Sequence, residues 1–153
     1  MNIDRLHMQS EWEACLRGDA MIWHLAKQRP LPRRILALAS CDCAILVEEY
    51  LSPKIVRTIM AIRTFAMGDA ADFEMLLDDK YSAGAMLAKT CAHALSGTNP
   101  LYSATFAQCQ TAPTVAARIA ANAHRNVGKS IAAREQILAQ SARIVRSYFP
   151  WPG

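Results

Sequence analysis

Residues Ala39 to Pro53 read ASCDCAILVEEYLSP. Two thiols flank a carboxylate here, in a chain with five cysteines, so the stretch is either a metal or redox site or a turn of a packed helix. On a helix, positions two apart are rotated by about 200°, and Cys41 and Cys43 could not then grip one metal ion. Their neighbours decide the matter. Leu36, Cys43, Val47 and Tyr50 fall on one side at helical spacing, and Leu38, Cys41 and Ile45 fall nearly opposite. The spacing predicts a helix from Arg33 to Leu51, apolar on two sides and therefore central. Cysteine serves in it as a small buried hydrophobe.

On the C-terminal side, Ser52-Pro53 reads as a cap followed by a first helical residue. Ile55, Ile59, Ile62 and Phe65 then carry an apolar face to a stop at Gly68. So short a link predicts an antiparallel helix pair. Asp69 or Asp72 can cap the next helix, whose stripe is Phe73, Leu77, Leu87, Cys91 and Leu95, ending at Gly97. Thr98-Asn99-Pro100 is a turn signal, followed by a short helix from about Leu101 to Gln110. Beyond Pro113 the polar residues Arg118, Asn122, Arg125, Lys129, Gln136, Gln140, Arg143 and Ser147 stay within about 40° of one line at 100° per residue. That phase predicts one helix, or two nearly in register.

On the N-terminal side, Ser10 and Glu13 have capping-box spacing, so a short helix is expected from there to Gly18. Asp19 can cap a second, to about Lys27. RPLPRR, Arg29 to Arg34, is a connector, with Pro32 suited to a first helical position.

Twenty-seven alanines and only six glycines agree with this helical reading, because alanine loses no side-chain entropy in a helix. Alternating β-branched and aromatic runs are missing. We expect an all-α fold, one compact helical bundle of six or seven helices over residues 1–153, with an aromatic and proline-containing tail at 147–153. A chain of this length suffices for one core, burying roughly 68–70% of its unfolded surface.

Met1 to Met8 carries an acid and no apolar core of a secretory signal, and no apolar run approaches the roughly 18 residues that span a bilayer. A cytoplasmic protein with no membrane partner is expected. The odd cysteine count and irregular spacing suit a reducing compartment and free thiols.

The net charge of +4 is unevenly placed. Residues 113–153 hold six basic side chains against Glu135; the first 112 hold eleven basic and twelve acidic ones. Asp69, Asp72, Glu74, Asp78 and Asp79 form an acidic patch. Such asymmetry implies oriented association.

Little in the chain supports catalysis. His7, His24, His93 and His124 are scattered without metal-ligand spacing. Gly128-Lys129-Ser130 resembles the end of a phosphate loop, but Ala123 stands where that loop needs glycine, and the amides would be spent inside a helix. No nucleophile motif or glycine-rich cofactor loop occurs. We therefore expect a non-enzymatic protein with no cofactor, no metal site and no catalytic residue. A small metal-dependent enzyme assembled from distant cysteines and histidines is the weaker contrary reading.

Three surfaces are candidates for a partner. The basic residues Arg118, Arg125, Lys129 and Arg143 form a face that could be solvated, meet an acidic protein, or follow nucleic-acid phosphates. Asp72, Asp78 and Asp79 are either helix-start and solvent-face residues or a contact for a basic partner. The tail SYFPWPG either folds back, filling a groove with Tyr148, Phe149 and Trp151, or presents Trp151 as an interface anchor.

From Ala39 to Glu74 the run CDCAILVEEY, then Pro53 and Arg57, then Ile62 to Asp69 (IRTFAMGD), resembles the Imm-5-like family of immunity proteins. That pattern has Cys-Ala on one helix, Pro and basic residues opening the next, and an Ala-Arg-x-Phe/Trp-Ala-x-Gly-Glu ending. Arg63, Phe65, Ala66 and Gly68 match it, and Asp69 stands in for the acid. The resemblance implies a helical bundle in microbial conflict that neutralises a toxin by stoichiometric binding, and it supplies no catalytic residue. A related scaffold could instead antagonise a host defence complex, as anti-CRISPR proteins do. A nucleic-acid-binding module using the basic C-terminal helix is the further alternative, and the chain could act as monomer or homodimer.

Overall fold

In a computed structural model of the chain, residues 6, 8–28, 32–68, 82–96 and 110–151 are described. Among them are seven α-helices and no strand: α1 Gln9–Ala14, α2 Gly18–Gln28, α3 Arg33–Ile45, α4 Pro53–Ala66, α5 Ala83–Ser96, α6 Ala112–Asn122 and α7 Val127–Tyr148. A 3-10 turn, Glu48–Tyr50, links α3 to α4. The all-α bundle read from the sequence is the observed fold. None of these helices is long and apolar enough to cross a membrane.

α3 is the central element, packing against α4, α5, α6 and α7. It ends six residues before the expected Leu51, where Glu48 and Glu49 would put negative charge at the negative end of the helix dipole. Ser52 then caps α4, its Oγ accepting the Ile55 N–H at 3.3 Å, with Pro53 as first residue. Gly68 closes α4 at φ +82°, a left-handed conformation that suits glycine. The two helices run antiparallel: Arg34 at the start of α3 donates from Nη1 to the Phe65 carbonyl at the end of α4, at 3.0 Å.

Two local expectations are corrected and a third, left between one helix and two, is resolved. Ser10 lies inside α1, whose N-cap is Met8 without a side-chain bond, so the capping box does not form; Gln9 instead donates to Glu13 at 3.2 Å. Pro32 is the N-cap of α3, one place before the first turn. The chain beyond Pro113 forms two helices, because Asn126 accepts the Lys129 N–H at 3.0 Å and starts α7 anew. Ser130 Oγ donates to the Ala121 carbonyl at 2.8 Å and closes that corner. The helix expected to start at Asp69 or Asp72, and the one from Leu101 to Gln110, fall outside the described residues, except that α5 contains the later part of the first.

The core forms two adjoining clusters. One gathers Leu6, Trp12, Met21, Ile22, Leu25, Leu36, Val145 and Phe149 around α1, α2 and the end of α7. The other gathers Cys41, Cys43, Val47, Ile59, Ile62, Leu87, Cys91, Val115 and Leu138 between α3, α4, α5, α6 and α7.

The Cys41-Asp42-Cys43 triplet joins three neighbours of α3, since successive helical residues diverge by about 100°. Cys41 meets Cys91 of α5, and this contact with burial holds the Cys91 thiol well above its usual range. Asp42 accepts from Arg63 of α4 and Tyr148 of α7. Cys43 faces α7, where burial pushes its thiol up to about 12 and the Ser141 hydroxyl pulls the other way. Cys15, Cys41, Cys43 and Cys91 are all buried. Among the described residues no three His, Cys, Asp or Glu side chains converge on a metal position.

Candidate docking site

α7 has 22 residues, about 33 Å of helix, whereas α2, packed on it, has 11 and spans half that length. Gly18, the first residue of α2, sits directly on Ser141 and Ala142 of α7. Around that seat Leu138, Ser141, Ala142 and Val145 are buried.

The same face of α7 continues toward its N-terminus, beyond the start of α2. Val127, Ile131, Arg134, Leu138, Ser141 and Val145 lie within about 40° of one line at 100° per residue. Val127 is 72% exposed and Ile131 52%. Leu16, in the segment leading into α2, is 65% exposed. An apolar stripe that is core at one end of α7 is thus uncovered at the other.

Two adjacent clefts flank this stripe. The larger, about 580 Å³, is lined by Leu16, Arg17, Ala132, Arg134, Leu138 and Ala139, with Glu135 and Gln136 at α7. The smaller, about 210 Å³, is lined by Asp19, Thr114, Ala117, Arg118, Arg134 and Leu138. Arg134 and Leu138 belong to both.

The charges of the clefts divide by pairing. Arg17 grips buried Asp19 through two bonds, Nη2 to Oδ2 at 2.8 Å and Nε to Oδ1 at 3.3 Å, and the Ala20 N–H also donates to Asp19 at 2.8 Å. That pair is close to neutral. Among the described residues, ion pairs join Arg17 to Asp19 and Arg63 to Asp42; Arg118, Arg125, Lys129, Arg134 and Arg143 take part in neither.

All four basic residues singled out from the sequence are exposed, but they do not form one line. The α6–α7 corner puts Arg118 on one helix and Arg125 and Lys129 at the corner itself. Arg143 lies about 21 Å along α7 from Lys129. The structure instead groups Arg118 with Arg134, a residue the sequence did not single out. Its shared phase with Ile131 and Leu138 was visible, but the point at which α2 stops covering α7 was not.

Asp72, Asp78 and Asp79 lie outside the described residues. Trp151 is half-buried against Trp12, with ring centroids 6.2 Å apart and planes at 58°, and Phe149 is buried. The tail therefore folds back on its own domain, and Trp151 is not a free anchor. Arg146 ties the same region together, donating to the Cys15 carbonyl at 2.7 Å.

Comparisons with protein-family models, with curated proteins and with solved structures give no match to this chain.

Proposed function

We propose that this chain is a non-enzymatic binding protein that neutralises a protein partner by stoichiometric occlusion, in the manner of an immunity protein acting on a toxin. The observation that carries the reading is the uncovered half of α7, where Val127 and Ile131 stand exposed on the same face of the helix as Arg134. Exposed apolar side chains framed by charge are the usual composition of a protein interface, with the apolar part supplying affinity and the charges orienting encounter. Arg118 and Arg134, which line one cleft beside this face, would speed approach of an acidic surface. Exposed aliphatic residues on the face that carries Arg134 favour protein over nucleic acid, whose phosphates reward charge alone.

Affinity purification from the native host, with and without nuclease, followed by mass spectrometry, tests this. A nuclease-resistant protein recovered in near-equal amount, and lost when Val127 and Ile131 are replaced by Asp, supports the reading. The partner's identity would then decide between a toxin and a subunit of a defence complex. Recovery only of nucleic acid and nuclease-sensitive proteins would assign the basic residues to phosphate binding instead.

A further inference from the structure

We infer that the paired clefts between α6, α7 and the start of α2 recognise an acidic amphipathic segment of the partner, which places a carboxylate between Arg118 and Arg134 and a large apolar side chain beside Leu16. The inference rests on the docking reading above and names the chemistry of what docks there.

The small cleft holds two guanidinium groups, Arg118 and Arg134, that join no ion pair among the described residues, and Thr114 lies on its wall. The one carboxylate lining it, Asp19, is already neutralised by Arg17. What remains is an excess of planar donors suited to a carboxylate, which takes bidentate bonds from guanidinium. The larger cleft differs. Leu16, Ala132, Leu138 and Ala139 give it an apolar surface, and Glu135 would repel a second carboxylate. Orientation follows: the acid enters the small cleft and the apolar side chain the large one. Because Arg134 and Leu138 line both, the two side chains must be close neighbours, as residues three or four apart on a helix are. A phosphodiester would satisfy the arginines but would leave the apolar cleft without an occupant.

The test is a display selection of random 15-residue peptides on the full chain, followed by affinity measurement of the enriched sequences. The expected result is enrichment of an Asp or Glu three or four positions from a large apolar residue. Affinity should fall tenfold or more for Arg118→Glu with Arg134→Glu, and less than threefold for Lys129→Glu, which changes charge outside the clefts. All three side chains are exposed, and an unchanged helical circular dichroism spectrum verifies that the variants fold. Peptides without an acid, equal losses in both variants, or no enrichment would overturn the inference. A captured natural partner that ignores Arg118→Glu with Arg134→Glu, yet is lost with Val127→Asp, would overturn it while leaving the docking reading in place. Selected peptides with the expected dependence would support it even if no natural partner is captured.

Discussion

Tyr148, the last residue of α7, donates its hydroxyl to Oδ2 of Asp42, 106 positions earlier in α3. The other oxygen of that carboxylate accepts from Arg63 Nε of α4 at 2.7 Å. Both partners bear its mark: the hydrogen bond to Asp42 raises the Arg63 guanidinium above its ordinary range, and burial with the same carboxylate raises the Tyr148 phenol. One half-buried side chain thus ties three helices.

Replacing Asp42 by Ala should therefore destabilise more than Tyr148→Phe. The first strips two donors of their acceptor, including a cation; the second removes one bond and leaves the ion pair. Because the site is partly exposed, we expect about 1–3 kcal/mol for Asp42→Ala and about 1 kcal/mol for Tyr148→Phe. Urea denaturation of the three proteins checks the order, and equal losses would mean that the phenol carries the tie.

Gly18→Ala should cost more than Gly84→Ala. A Cβ at Gly18 would stand 2.6 Å from Ser141 Cβ and 2.7 Å from the Ser141 carbonyl carbon, so backbone must move. At Gly84 the obstacle at 2.5 Å is Ile55 Cδ1, the far end of a flexible side chain. Overpacking against backbone is expected to cost roughly 2–3 kcal/mol. The change at position 84 should be near neutral, since alanine also gains helix propensity. Thermal melts of the two variants decide it.

Stability should fall at alkaline pH through the core thiols. Cys43 ionises in the unfolded chain near the ordinary thiol value of 9.0 but only at about 12 when folded. Between those values the unfolded state binds fewer protons, so the contribution is full below pH 9 and is lost as pH rises toward 12. The slope from this group is roughly 1.4 kcal/mol per pH unit. Cys91 acts in the same direction. Cys43→Ala should flatten the decline between pH 9 and 11 relative to the parent protein, as measured by urea midpoints; parallel curves would refute the assignment.

Val127→Asp with Ile131→Asp should abolish partner capture while leaving the melting temperature within a few degrees of the parent. Both residues are exposed, and surface changes usually alter stability by no more than about 0.5 kcal/mol each. A large fall in melting temperature would show that the stripe is structural.

Most of the fold was legible because its signals are local. Ser52-Pro53 and Gly68 bound α4 as their cap chemistry dictates, and the two-sided apolar pattern of Leu36, Cys41 and Cys43 does mark the central helix. The failures were of length. Helical phase from Arg118 to Ser147 survives a reversal of direction at residues 123–126, since both helices keep their polar sides outward, and only Asn126 as a cap signalled the break. The candidate site was half legible for a related reason. Periodicity ranks positions around a helix, but it does not say how far along its axis a neighbour extends. Arg134 and Ile131 could be assigned to the stripe and not to the surface.

The unequal lengths of α2 and α7 have an evolutionary consequence. Residues that hold the bundle together, such as Gly18 and Ser141, occupy one stretch of the stripe, and residues free to meet a partner occupy the next. Substitutions at exposed Val127, Ile131 and Arg134 can then accumulate without first passing through a folding defect. If that surface meets an adversary's protein, as proposed, a lineage could rewrite those positions repeatedly while the scaffold beneath them stays the same.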